Sequence, residues 1–539
     1  MERGPRFTSS QLKRSRASLG TTPGPHSRGA KKGVHMLRLG LSERSRSGFL
    51  RSRGSAAVRL TATTAALALG LTACGSGGDD SSSGDTVTIT LEGPNQWSES
   101  GSSFGKPWED LVASFQKAEP NIKVKTVVLP LNSFAQTIST HLAAGTAPEL
   151  VFSQVPHKPH MVHALDEYLA KPNPYIRSGP GSEKWADAFR KRYYGLENPA
   201  LRNAEGKLEF VPFNLAGTGL FYNKEAFDKA GVTGPFKTFE DFIDGCAKLK
   251  GAGYTPLAMD RSDLGPDWTM TAISGMLLDK HVDRLNVYTA DGKPGKATSA
   301  TGEPVVTNKS LAKAVLSGDL TPKTPEAVES LKLLKKVWDS CVDKQWSGNT
   351  EGLNGAVVGL RDFAAGKAGM AWGVNFGVTS LQDVKFDFAS MPFPQITKES
   401  TPLANGAPAR FGAGVGGTNY MIPSTVKGKK LEAAVKFLQF VSSPENVQPW
   451  LKATGGIPAV EGASGADETK MFAEGSWGEP VPLVMPIGPP GVTRLSLVDG
   501  WLLGTKSLPE QQRYLQDLWI KGQRQAVKDG TWGNEPWAK

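Results

Sequence analysis

Apolar and polar positions alternate along the chain in two periods. Val87 to Leu91 alternates β-branched and polar residues, which predicts a strand. Helical spacing follows, until Pro120, at Trp108, Leu111, Val112, Phe115 and Ala118. Ile122 to Val128 returns to a strand pattern. The first forty residues of this region therefore predict a β-α-β unit.

The same order of elements recurs downstream. The pattern predicts a helix from Ser133 to Gly145, a buried strand from Glu149 to Phe152, a helix opened by a Thr238–Asp241 capping box, and a strand from Thr255 to Met259. Further helices are predicted from Thr324, from Lys429 to Val441 and from Ser443, whereas Pro480 to Pro490 is predicted to be irregular. Strands alternating with helices are typical of parallel sheets covered by helices, so the predicted class is α/β.

The charge is distributed unevenly. Residues 1–73 contain 14 basic and 2 acidic side chains, and the remaining 466 residues contain 48 basic and 50 acidic ones. The basic pI of about 9.2 therefore belongs to the leader. A body near neutrality, without an interleaved basic and aromatic stretch, argues against nucleic-acid binding.

The N-terminal segment has the organisation of a signal peptide. Basic residues from Arg51 precede the apolar run Leu60 to Leu71, which is too short for a membrane-spanning helix, and small residues lead to Cys74. This resembles the bacterial lipobox, in which the cysteine is lipidated; the alternative is an ordinary cleavage site. Residues 1–73 are then leader and signal peptide, and translation starts at Met1 or at Met36.

Residues 74–85 are rich in Gly, Ser and Asp, a composition that predicts a flexible tether of about 20 Å root-mean-square length. We expect the folded body to be held by this tether on the extracytoplasmic face of the cell membrane. The two other cysteines, Cys246 and Cys341, fall in predicted helices, and a disulfide or two separate buried thiols are both compatible with the sequence.

Three histidines, His157, His160 and His163, invite a metal-site hypothesis. The first and third diverge on a helix, and Pro156 and Pro159 disfavour a regular helix here. We interpret them as surface histidines and predict no metal and no cofactor.

Six segments together resemble the extracellular solute-binding proteins of family 1, which includes maltose-binding protein. They are FQKAEPNIKV (115–124), AAGTAPELV (143–151), GLFYNKEAFDKAG (219–231), KTFEDF (237–242), FAAGKAGMAWG (363–373) and KKLEAAVKFLQFVSSPE (429–445). The resemblance implies two α/β lobes joined by crossing strands, with a ligand cleft between them, in a likeness to the type II periplasmic-binding-protein fold. It places one lobe at 86–210 plus 411–460 and the other at 211–410 plus 461–539.

The resemblance also implies where ligand contacts should fall, namely after strands. The candidates are Trp97, Gln154, Asn214, Asp260, Asp267, Trp268, Trp372, Asn375 and Arg410. A tryptophan face can stack on a sugar ring, and carboxylates can accept from hydroxyls. Trp268 packing inward and Arg410 pairing with a surface acid are the alternatives. After Trp372 the spacing differs from that of the family by about one residue. We therefore predict a ligand contact in the loop with Asn375 and Phe376 rather than at one exact residue.

The function so implied is that of a monomeric lipoprotein that captures a sugar or oligosaccharide and delivers it to the permease of an ABC importer. A secreted carbohydrate-active hydrolase is the main alternative, although no GxSxG, HExxH or phosphate-loop motif occurs. A binding protein for a non-sugar solute and a surface sensor are further alternatives. We predict that the protein is not an enzyme.

Overall fold

A computed structural model describes residues 86–94, 103–130, 133–194, 201–203, 205–299, 301–350, 356–412 and 414–539. The strands are β1 (Val87–Pro94), β2 (Ile122–Leu129), β3 (Leu150–Phe152), β4 (Val211–Ala216), β5 (Thr218–Asn223), β6 (Thr255–Ala258), β7 (Ala368–Val374), β8 (Phe388–Met391), β9 (Gly414–Met421) and β10 (Ile457–Pro458). Trp97 and Cys74 lie outside the described residues.

The described helices are α1 (Lys106–Ala118), α2 (Phe134–Ala144), α3 (Asp166–Leu169), α4 (Lys224–Ala230), α5 (Phe239–Gly251), α6 (Leu264–Leu278), α7 (Val282–Leu285), α8 (Asn308–Leu316), α9 (Pro325–Cys341), α10 (Leu360–Ala364), α11 (Gly428–Val441), α12 (Pro444–Thr454), α13 (Arg494–Leu502) and α14 (Leu508–Asp529). Within the part of the chain that the structure describes, no helix has both the length and the apolar character needed to cross a membrane.

The strands form two separate sheets, as the α/β prediction requires. The first has six strands in the order β10-β4-β9-β3-β1-β2, and the second has four in the order β6-β7-β5-β8. The predicted β-α-β start is confirmed, because β1 and β2 pair in parallel with Val87 opposite Ile122. The expectation of parallel sheets holds only in part: β4 and β9 pair antiparallel, as do β5 and β7.

Each sheet has its own apolar core. In the first, one face of α1 buries Trp108 and Phe115 against the sheet and against Phe437 of α11. In the second, α5 and α9 bury apolar faces on β6 and β7. The start of α5 is fixed by the predicted capping box, since Thr238 Oγ1 accepts from Asp241 N and Asp241 Oδ2 accepts from Thr238 N, both at 3.1 Å. A third, smaller cluster contains residues of both sheets, among them Leu215 of β4 and Phe221 of β5. The two larger cores define two bodies.

The chain passes between the two bodies in three described places. β4 of the first sheet leads through Gly217 into β5 of the second, β8 of the second leads back to β9 of the first, and β10 leads to the 3₁₀ turns Asp467–Ala473, which pack against β8. Antiparallel pairing of β4 with β9 follows, because one leaves the first sheet and the other enters it. The lobe boundaries at 210/211, 410/411 and 460/461 stay predictions.

A disulfide joins two helices of the second body. Cys246 of α5 and Cys341 at the end of α9 are bonded, with Cα atoms 5.2 Å apart and a sequence separation of 95. Both side chains are buried. Of the two alternatives left open by the sequence, the structure has the disulfide.

We expect the double substitution Cys246→Ala/Cys341→Ala to lower the free energy of unfolding by about 2–5 kcal/mol, because the bridge closes a long loop of the unfolded chain. Chemical denaturation of the two proteins measures this change. Adding a reductant should lower the free energy of unfolding of the wild-type protein and leave that of the variant unchanged. Equal stability of the oxidised wild type and the variant would contradict the presence of the disulfide.

Candidate functional site at the junction of the two sheets

The first crossing is built around a glycine. Gly217 lies between the end of β4 and the start of β5. A Cβ atom there would lie 2.5 Å from Ile457 Cδ1 and 2.9 Å from Phe472 Cβ, so a larger residue does not fit. The close approach brings the first and third crossing segments together at one point.

Asn375 ties these segments to one another. It follows β7, is fully buried, and accepts from Gly217 N through Oδ1 at 3.0 Å, while its own N–H donates to Gly217 O at 2.9 Å. Its Nδ2 donates to Gly455 O at 3.1 Å, and the same carbonyl accepts from Thr469 Oγ1 at 3.0 Å. We call this group of Asn375, Gly217, Gly455 and Thr469 the hinge node.

Asn214 has a related structural contact in β4. Its side chain is buried, and its Oδ1 accepts from Ile457 N at 2.9 Å, which fixes β10 to the sheet. Asn214 and Asn375 were both predicted as ligand contacts. The structure brings them to the junction but engages both amides in holding the backbone, and direct contact with a ligand stays a prediction for each.

The two predicted tryptophans lie inside the second core. Trp372 has no exposed surface, stacks on Phe393 with ring centroids 5.8 Å apart, and donates from Nε1 to Thr269 Oγ1 at 3.0 Å. Trp268 is 8% exposed and packs on Trp372 at 6.2 Å. The alternative that Trp268 packs inward therefore describes this structure, and neither ring presents a free face for a sugar.

The predicted acids follow β6 and differ in their surroundings. Asp260 is buried and accepts from Ser262 N at 2.8 Å and Gly359 N at 2.7 Å, so it orders two loops at the carboxyl end of the sheet. Asp267, on the first turn of α6, lies 3.1 Å from Arg494 Nε. Burial raises the pKa of Asp267, and the nearby arginine opposes this rise.

Two predicted residues in the described part of the chain remain, Gln154 and Arg410. Gln154 is exposed just beyond β3 and donates from Nε2 to Gly417 O on β9 at 3.2 Å. Arg410 pairs with Asp279 at 2.9 Å and lies 3.7 Å from Glu303. The pairing alternative thus accounts for Arg410 in this structure.

Phe376 is the aromatic residue with the position expected of a contact. It directly follows Asn375, is partly exposed, and packs against both the first and the second core. The sequence indicated this loop but not the residue, because the spacing from β7 was uncertain. An aromatic ring that spans the two bodies is suited to sense a solute held between them.

A separate cavity lies on the second body. A volume of about 1070 Å³ opens beside Trp338, Tyr254 and Leu503, next to Thr255 at the amino end of β6. Ligands of open α/β sheets bind beyond the carboxyl ends of parallel strands, where Asp260 and Asn375 lie. Size alone therefore does not make this cavity the functional site.

Two α/β bodies, each with its own core and linked by crossing segments, define the class of two-lobe binding proteins, in which hinge motion closes a cleft. The sequence model of the bacterial extracellular solute-binding protein family matches residues 110–474. The chain belongs to this family.

The relatives found by sequence comparison are named for two kinds of ligand. The sn-glycerol-3-phosphate-binding periplasmic protein UgpB of Salmonella typhimurium is 23% identical over 386 residues, which cover 68% of this chain and 74% of the relative. The multiple sugar-binding protein of Streptococcus mutans is 23% identical over 397 residues, covering 73% and 80%.

Solved structures share the fold. The apo form of RafE from Streptococcus pneumoniae matches with a TM-score of 0.53 and 17% identity, covering 82% of this chain and 99% of that one. RafE in complex with raffinose matches with the same TM-score and identity, over 81% and 100%. These likenesses confirm the two-lobe fold.

We expect Trp372→Ala to lower the free energy of unfolding by about 3–5 kcal/mol, because it empties the space under Phe393 and Trp477 in the second core. Denaturant titration measures the loss. A variant as stable as the wild type would show that the ring is dispensable for packing.

Asn375→Ala should cost about 1–3 kcal/mol, because it leaves the buried Gly217 N–H and Gly455 carbonyl with fewer partners. The matched control is Asn405→Ala, which removes an exposed amide whose Oδ1 accepts only from Ala407 N in its own turn. Thermal and chemical denaturation compare the two variants; equal losses would argue against a special role for the hinge node.

Proposed function

We propose that this chain is the solute-binding component of an ABC importer, and that its solute is a sugar or oligosaccharide. The observation that carries the proposal is the match to the extracellular solute-binding family together with Phe376, a partly exposed aromatic ring between the two bodies. Sugars offer apolar C–H faces to such a ring and hydroxyls to nearby polar groups.

Polar groups follow strands of both sheets. Gln154 is exposed at the carboxyl end of β3, and Asp267 with Arg494 lies on the side of the second sheet. A neutral solute with many hydroxyls suits amides and partly solvated charged side chains, since each can accept or donate one bond. These residues are our proposed contacts, with Phe376 in the place first expected for Trp372.

Membrane attachment is part of the proposal and follows from the sequence alone. Cys74, at the end of the apolar run, is the proposed lipidation site, and residues 74–85 are the tether. The body would then work on the extracytoplasmic face, where it hands the solute to the permease. Replacement of Cys74 by Ala should release the protein into the medium or periplasm.

A small phosphate ester is the second candidate solute. Several relatives are named for binding sn-glycerol-3-phosphate, and Arg494 offers a cation that is about one-third exposed. Recognition of a phosphate by an arginine depends on ionic strength, whereas stacking on a neutral sugar does not. Salt dependence therefore separates the two candidates.

Binding is tested by thermal shift with raffinose, maltose, xylo-oligosaccharides, chito-oligosaccharides and sn-glycerol-3-phosphate. We expect a sugar to raise the melting temperature without being consumed, because a ligand that binds only the folded state stabilises it. Product formation by chromatography would support the hydrolase alternative instead, and a shift by the phosphate ester alone would replace the sugar by the second candidate.

For the sugar that binds, Phe376→Ala should raise the Kd roughly ten- to a hundredfold, since an aromatic contact contributes about 1.5–3 kcal/mol. The matched control is Phe386→Ala, which removes a partly buried ring that packs on Phe363 in the second body. Calorimetry should find the control affinity unchanged. An unchanged Kd for Phe376→Ala would remove this residue from the site.

A further inference from the structure

The histidines that suggested a metal site have a different arrangement in the structure. His160 is exposed, but His157 is not a surface residue: its side chain is 15% exposed and lies against Glu209, whose side chain is 11% exposed. His157 follows β3, and Glu209 precedes β4, so the contact joins two segments 52 residues apart. No metal-ligand group of three His, Cys, Asp or Glu side chains occurs among the described residues.

Both ring nitrogens of His157 face oxygen atoms that can only accept. Nδ1 lies 2.8 Å from the carbonyl oxygen of Val155, and Nε2 lies 3.1 Å from Glu209 Oε2. A neutral imidazole carries one N–H and one lone pair, so it can satisfy only one of these contacts. The geometry therefore fits the imidazolium form, in which both nitrogens donate.

Of the charges around the ring, the Glu209 carboxylate favours the same form. Glu209 also accepts from Asn203 Nδ2 through its other oxygen, and the neighbouring Arg202 pairs with Asp166 at 2.8 Å. Lys158 and His160, on the same segment as His157, are exposed. The hydrogen bond to Glu209 raises the pKa of His157, and burial opposes the rise without cancelling it.

The contact fixes a segment that reaches the crossing strands. Ser153 N donates to Asn419 O of β9, and Gln154 Nε2 donates to Gly417 O of the same strand. On the other side, Glu209 lies two residues before β4, and β4 ends next to Gly217 of the hinge node. His157 thus connects the segment of Gln154, the residue proposed to contact the solute, with β4, the strand that leads into the second body.

We propose that His157 is a proton-linked positioning residue: its imidazolium holds residues 153–157 against Glu209, and loss of the proton loosens this edge of the first body. That this edge borders the solute cleft rests on the proposed function; the proton linkage itself does not. Because the folded-state pKa is raised, the stabilisation is fully present below the unfolded pKa and is lost as the pH rises through the folded one.

The test is hydrogen–deuterium exchange of the full chain, without added solute, at about pH 5.5 and about pH 8.5, on either side of the ordinary histidine range. After correction for intrinsic exchange rates, protection of residues 153–163 in the wild type should fall several-fold at the higher pH. The upper limit is about tenfold for each unit of pKa difference. In His157→Gln the same peptides should show no pH-dependent change.

The matched control is His281→Gln. His281 also contacts a carboxylate, Glu326, through Nε2 at 2.8 Å, but its Nδ1 lies 3.4 Å from Arg284 Nη2 and can accept, so the neutral ring satisfies both contacts. This variant should keep the wild-type pH profile of residues 153–163. Glu209→Gln serves as a second variant if His157→Gln does not fold, and it should also abolish the pH dependence.

Two results would overturn the proposal. One is a wild-type protection of residues 153–163 that does not change with pH, and the other is a wild-type pH dependence that persists in both His157→Gln and Glu209→Gln. Neither result bears on solute binding, because no solute is present in the experiment. Conversely, a solute screen without a ligand would leave the exchange result intact, so failure of the two proposals can be told apart.

Discussion

The first and third crossing segments share one buried meeting point, and the amide of Asn375 makes it specific. Its two hydrogen-bonding groups fix Gly217 from the first crossing and Gly455 from the end of α12, and Thr469 from the third crossing donates to the same carbonyl. Buried polar groups of this kind are costly unless all are paired, so the node permits few arrangements of the chain. These hydrogen bonds thereby give the two sheets a defined connection.

Around the junction, some side chains hold the backbone and others remain accessible. Side chains that hold the backbone, such as Asn214 and Asp260, are buried and hydrogen-bonded. Gln154 is exposed and Phe376 is partly exposed, so both have surface that a solute can contact. A binding protein needs both kinds, because a contact residue is effective only when its support is rigid. Phe376, which packs against both of the larger cores, is the proposed contact at this junction.

Local patterns were sufficient for much of the fold. The β1-α1-β2 unit, the Thr238–Asp241 cap and the helix from Pro325 follow from spacing and from residues a few positions apart. The site was harder to predict because burial depends on distant partners: Trp372 is covered by Phe393 and Trp477, and His157 meets Glu209 across 52 residues. A buried asparagine that holds a hinge and one that binds a solute have the same appearance in a sequence, so the sequence alone does not separate these two roles for Asn375.

The central claim is that one solute is held between two bodies joined at the hinge node. The most direct measurement is the change in hydrogen exchange when a sugar that stabilises the protein is added. We expect the sugar to increase protection from exchange in two separate regions at once, around Gln154 beyond β3 and around Phe376 beyond β7. Protection confined to one body, or centred on the cavity beside Trp338, would contradict it.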